Sequence, residues 1–142
     1  MAPTPVLPDP VVVARTALIA QPTLTALVDQ RVYYAVPSPW PQAGAPLADL
    51  PVLVLSLVDD DELRPETLIA RVQVDVWGSG GNKQQVIDCK AIAAVVRSVA
   101  RDLKGTWGPA SISMAVAGQI IPNPDTTSGR ARFICDLELH LQ

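Results

Sequence analysis

Residues 59–62 read Asp-Asp-Asp-Glu, four adjacent carboxylates that invite a divalent-cation site. A calcium loop spaces its oxygen ligands at alternate positions around a glycine, and no such spacing follows here. Neighbouring side chains on an extended chain point in opposite directions, so the run is expected to be a solvated acidic turn. His140 and Glu138 fall on the polar side of a terminal strand and could exchange a proton, yet no nucleophile motif accompanies them. The run Gly78-Ser79-Gly80-Gly81-Asn82-Lys83 has the composition of a phosphate loop but neither the four-residue spacer nor the Gly-Lys-Ser/Thr ending that makes the cradle and holds magnesium. Cys89 and Cys135 with a single histidine fall short of a zinc set and read as buried free thiols. The sequence therefore predicts no catalytic residues, no cofactor, no metal site and no enzyme.

The elements that position these residues are organised around 67–104. In the strand at its start, Ala70, Val72, Val74 and Val76 alternate with Arg71, Gln73, Asp75 and Trp77, giving one core face and one face that is wet or covered by something else. The glycines at 78, 80 and 81 suit left-handed or open backbone. Asn82 with Gln85 three residues on makes a capping box, and a helix is expected from Lys83. Val86, Cys89, Ile92, Ala93, Val96, Val99, Ala100 and Leu103 recur at three- and four-residue steps, the pattern of a helix laid on a sheet. Its opposite side carries Lys83, Lys90, Arg97 and Lys104, with Arg101 beside them, as one basic stripe: an ordinary solvated face or a contact to an acidic partner. Lys104 and Gly105 are expected to end the helix with a left-handed cap.

Before this unit, residues 1–8 hold three prolines and are expected to be a loose arm. Asp9 and Pro10 are a good N-cap and first helical position, Val11, Ala14 and Leu18 give a short apolar stripe, and Pro22 should break or restart the helix before a further turn over 24–28. A first strand is expected at 31–36. Residues 37–51 form a proline-rich loop around Trp40, which either folds back as a lid or anchors another subunit. Residues 52–58 are nearly all apolar, as in a central strand covered on both faces. After the helix, Trp107-Gly108-Pro109 is a turn, Ile112, Met114 and Val116 alternate with Ser113, Ala115 and Ala117 in a fourth strand, and 122–129 is a hairpin loop. The last strand turns Ala131, Phe133, Cys135, Leu137, Leu139 and Leu141 inward and Arg132, Ile134, Asp136, Glu138 and His140 outward. The order α-β-β-β-α-β-β implies an α+β fold: an antiparallel-dominated sheet of about five strands with two main helices on one face.

With 142 residues, one domain spanning 1–142 is expected. Hydrophobic residues at 49% against 18% charged exclude a disordered chain, and aromatics at 4% make the core aliphatic. A net charge of −3 disfavours a direct grip on DNA. No apolar run reaches membrane length and the N-terminus lacks a signal peptide's basic residues, so an intracellular, soluble product is expected.

A sheet with helices on one side leaves its other face and its edges to be managed by pairing or cover. Mixed charges plus Trp77 and Ile134 on that face suit a polar contact with further copies of the chain. The segments Arg-Val-Tyr-Tyr-Ala-Val-Pro (31–37), Pro-Val-Leu-Val-Leu-Ser-Leu (51–57) and Arg-Val-Gln-Val-Asp-Val-Trp-Gly (71–78), set between a short N-terminal helix and a long one, resemble the tail-terminator or tail-completion proteins of long-tailed bacteriophages, over about residues 10–141. The resemblance implies a structural virion protein of the tail or neck, assembled in the host cytoplasm. It implies a ring of copies, a hexamer, that caps the tail tube, ends its polymerisation and offers a head-tail joining surface. The implied partners are the major tail tube protein and the head-tail connector protein; DNA passes through without being specifically bound, and no membrane is involved. The interface residues are expected to be Trp40, Arg71, Asp75, Trp77, Arg132, Asp136 and Glu138. Another neck or minor tail component, or a small cytosolic α+β binding module or enzyme, are the alternatives.

Overall fold

A computed structural model describes residues 9–36, 50–64 and 67–142, with side chains described throughout except at 62–64. The N-terminal arm at 1–8, most of the proline-rich loop and Trp40 lie outside these residues.

Asp9 opens helix α1 (Pro10–Ile19): its Oδ1 accepts the Val11 N–H at 2.8 Å, and Pro10 sits where a backbone donor has no helical partner anyway. Pro22 then restarts the chain as α2 (Pro22–Val28), bent by 90° from α1. The strands β1 (Val32–Tyr33), β2 (Val52–Arg64) and β3 (Thr67–Trp77) follow. Next come helix α3 (Lys83–Val99), a 3-10 turn (Ala100–Leu103), β4 (Gly105–Trp107), β5 (Ala110–Pro122) and β6 (Arg132–Leu141). Among the described residues the strands make one six-stranded sheet in the order β1-β2-β3-β6-β5-β4, antiparallel except for the parallel β1/β2 pair. The α+β class and the dominance of antiparallel pairing stand, while among the described residues the expected sheet of about five strands with two main helices becomes a mixed sheet of six strands with three helices. Two-residue β1 and three-residue β4 are too short to show an alternation, and β1 occupies only part of the expected 31–36 strand.

The helices cover one face. Val72, Val74 and Val76 of β3 and Leu137, Leu139 and Leu141 of β6 are fully buried there against Ala14, Ala17, Leu18, Ala93 and Val96. Each buried Val or Leu contributes about 1.5–3 kcal/mol relative to exposure, so this layer supplies most of the drive to fold. No helix of the described residues is by itself long and apolar enough to cross a membrane.

At the start of α3, Gln85 N–H donates to Asn82 Oδ1 at 2.9 Å while Asn82 N–H donates to Gln85 Oε1 at 3.0 Å, so both halves of the capping box form. The glycines before it serve another purpose than the one expected. None of them has a positive φ, but a Cβ on Gly81 would lie 2.0 Å from the carbonyl oxygen of Gly129, so close backbone approach is what demands glycine. At the far end, α3 tightens into the 3-10 turn, and Lys104 is extended instead of leading into a left-handed cap; Gly105, with φ 149°, starts β4.

Two strand readings are corrected. β2 is not a central strand covered on both faces: only Val52 to Leu55 are buried, and from Ser56 to Asp61 the strand is exposed. Its acidic residues do not end it, because Asp59, Asp60 and Asp61 pair with Arg71, Ala70 and Ile69 of β3 after an irregularity at Val58. In β5, a register shift between Ile112 and Met114 leaves Ile112 in the core but turns Met114 and Val116 to the uncovered face, with Ala115 and Ala117 opposite core residues Leu139 and Leu137.

Candidate assembly interface

The uncovered face of β3 and β6 is built from the outward residues of the two alternations. At the end nearest β1, Trp77 lies opposite Val52 on one side and Arg132 on the other. The Arg132 guanidinium stacks on the indole, 4.9 Å from the ring centroid, and its Nη2 donates to Asp75 Oδ2 at 2.8 Å. Gln73 Nε2 donates to Asp75 Oδ1 at 2.7 Å, so both carboxylate oxygens are engaged. Val52, Val54 and Trp77 form a second small apolar cluster with Tyr33 against it. Trp77 is 6% exposed and Asp75 8%, so these two are largely internal to the chain. A cation over an aromatic face and a charge-assisted bond gain strength when water is shut out, which makes this end a built device holding β2, β3 and β6 together.

Toward the other end the face opens. Arg71 is paired across the ladder with Glu138, and Gln73 with Asp136. Arg71 reaches Asp59 at 3.7 Å, and His140 Nε2 lies 3.2 Å from Glu138 Oε2. Arg71, Asp136 and Glu138, with Val116, Ala117 and Gly118 of β5, line a groove of about 260 Å³. Asp136 Oδ1 is buried with no hydrogen-bond partner among the described residues. Of the expected interface residues, six therefore share one face of β3 and β6, but in two groups: Asp75, Trp77 and Arg132 packed together, and Arg71, Asp136 and Glu138 beside an open groove.

Sequence reasoning missed the flanks of this face. Met114, Val116 and Ile121 of β5 are exposed apolar residues beside the groove; at the β2 edge Leu57, on the helix side of the sheet, and Val58, at the irregularity, are exposed as well. β1 pairs only with Leu53 and Val54, and β4 only with Ala110, Ser111 and Ile112. Among the described residues, β2 from 55 to 64 and β5 from 113 to 122, ten positions each, thus have one edge unpaired. Among the described residues it is the shortness of β1 and β4 that leaves these edges unpaired, and neither has a sequence signal.

The groups singled out for chemistry do not converge. Among the described residues no three of His, Cys, Asp and Glu are arranged as metal ligands. Cys89 and Cys135 are buried free thiols; burial pushes the Cys89 thiol up to about 12 and raises Cys135 as well, so neither is a thiolate near neutral pH. The Cys89 thiol points at the Val76 carbonyl, 3.4 Å away.

No family model matches the chain, and no curated protein does. Among solved structures, the fold matches a chain of the virion of the native gene transfer agent (GTA) particle, with a TM-score of 0.63 and 19% identity, covering 91% of this chain and 90% of that one. At that identity what is shared is the fold.

Proposed function

We propose that this chain is a structural virion protein that forms a ring at the end of a phage-type tail tube, ends tube growth and presents the surface to which the head joins. The observation that carries this reading is the fold likeness to a chain of a gene transfer agent virion, which spans nearly the full length of both chains. The segment order that resembles tail terminators, and a surface with two strand edges unpaired among the described residues and an open mixed-charge groove, support it.

The assignment is of a protein without catalytic work of its own, whose partners are its own copies, the tail tube subunit and a head-tail connector. With a net charge of −3 it suits a passage for DNA that does not hold it, because a phosphate backbone is retained by clustered Lys and Arg. A ring matched to a tube end follows if one patch of each copy meets a different patch of the next and the rotation closes. Deleting the gene in a producing cell tests the role: tails are expected to overrun their length or to remain unjoined to heads. Particles of normal length joined to heads in its absence would refute the terminator reading. Overlong tails distinguish it from another neck or minor tail component, whose loss leaves tail length unchanged.

A further inference from the structure

The unpaired edges of β2 and β5 are matched in length, direction and charge. Every adjacent pair from β2 through β3 and β6 to β5 is antiparallel, so β2 and β5 run in opposite directions. A second copy related by rotation about an axis along the strands therefore brings its β2 antiparallel to this β5, the arrangement in which an added strand continues a sheet.

The side chains around the two edges differ. The β2 edge carries Asp59, Asp60 and Asp61. Asp59 is engaged by Arg71, while Asp60 and Asp61 make no ion pair among the described residues. Asp60 lies opposite buried Ala70 and so projects on the helix side of the sheet, as does Leu57, opposite Val72 and 43% exposed. The β5 edge has no charge of its own, but on the same helix side it borders a groove of about 460 Å³ lined by Ala94, Ala115 and Ala117 and by Arg97 and Arg101, both exposed and without an ion pair among the described residues. One edge thus offers an apolar side chain and a carboxylate; the other offers an alanine-lined floor and two guanidinium groups.

We propose that the free edge of β5 in one copy pairs antiparallel with the free edge of β2 in the next, seating Leu57 in the alanine-lined groove and bringing Asp60 to Arg97 and Arg101. The pairing rests on the ring reading above and supplies its contact. Two β2 edges set together oppose their own aspartates, and two β5 edges oppose their own arginines, so like-charge repulsion disfavours both symmetric dimers. Only the head-to-tail combination is charge-matched, and that is the kind of contact that closes into a ring. It also explains how a sheet with two long edges unpaired among the described residues avoids indiscriminate pairing.

The test uses three variants in a producing cell: Asp60→Lys, Arg97→Glu with Arg101→Glu, and all three changes together. Each side reversed alone is expected to lower the yield of head-joined particles about tenfold or more, and the combined reversal to restore it substantially, because reversal on both sides recreates the attraction. All three positions are exposed, so the purified variants are expected to melt with the unaltered chain. Hydrogen exchange should show the edge-facing amides of 55–61 and 113–121, those not already bonded to β3 or β6, protected in purified particles and open in the free chain. Full particle yield from both single-side variants, a combined variant no better than the worse side, or unchanged exchange at both edges overturns the pairing. If those results come with overlong tails in the deletion strain, the ring reading survives and only this contact is lost.

Discussion

On the covered face of the sheet, Val72, Val74, Val76, Leu137, Leu139 and Leu141 meet three helices in a continuous aliphatic layer. On the uncovered face, Trp77, Arg132, Asp75 and Gln73 hold one end by stacking and charge-assisted bonds, and the remainder is open. The first surface is non-directional and tolerates no charge. The second is directional, local and finished only where β1 and β2 close over Trp77. The first supplies most of the drive to fold, and the second adds a local fastening at one end.

That contrast can be broken most severely at Val74. Val74→Asp places an unpaired carboxylate in the layer at a fully buried site, a cost of several kcal/mol against a total stability of about 5–15 kcal/mol, and is expected to prevent folding. A variant with native circular dichroism and an unchanged melting curve would mean that the layer is misassigned. Trp77→Ala probes the opposite face: removing the buried indole should cost about 3 kcal/mol in urea denaturation. A loss below about 0.5 kcal/mol, the range of ordinary surface changes, would place Trp77 outside any core.

Smaller changes sharpen the comparison by touching neither face. Asn82→Ala removes the cap of α3 and should lower stability by about 1 kcal/mol, leaving the fold intact. Least of all is expected at Asp125 in the β5–β6 loop, where the Ser128 hydroxyl and N–H hold the carboxyl below its ordinary value of 3.8. A depressed folded pKa means that the stabilisation is present above the unfolded value and fades as pH falls through the lowered one. Asp125→Asn should therefore remove a slight acid-range slope in melting temperature and change little else; an altered slope above pH 6 would point to a different group.

The covered face was legible because β3 and β6 are central and unbroken, so period-two alternation translated directly into burial from Ala70 to Val76 and from Ala131 to Leu141. The helix was legible from its three- and four-residue spacing and its capping box, with Cys89, Ile92, Ala93, Val96 and Val99 buried as expected. Val86 of the expected stripe is exposed, because the first turn of α3 stands clear of the core. Legibility failed where register shifts. The irregularity after Ile112 exchanged the faces of Met114 and Ala115, and the one at Val58 let an acidic run continue a strand. The expected interface residues on β3 and β6 do share a face, but their division into a packed trio and an open trio depends on β2 covering Trp77, a long-range pairing that no local pattern encodes.

The close approach at Gly81 belongs to a wider fastening at that end of the sheet. Gly78 N–H donates to the Ala131 carbonyl and Ala131 N–H to the Gly80 carbonyl, each at 2.8 Å, while Arg130 Nε donates to the Gly78 carbonyl at 3.0 Å. The hairpin between β5 and β6 is thereby tied to the turn that launches α3, across 52 residues of sequence. Seen as a mechanical linkage, the tie makes hairpin and helix start a single stiff corner. A load applied to the hairpin is borne by α3 and the covered layer together, and the corner yields only when these bonds are stretched in concert.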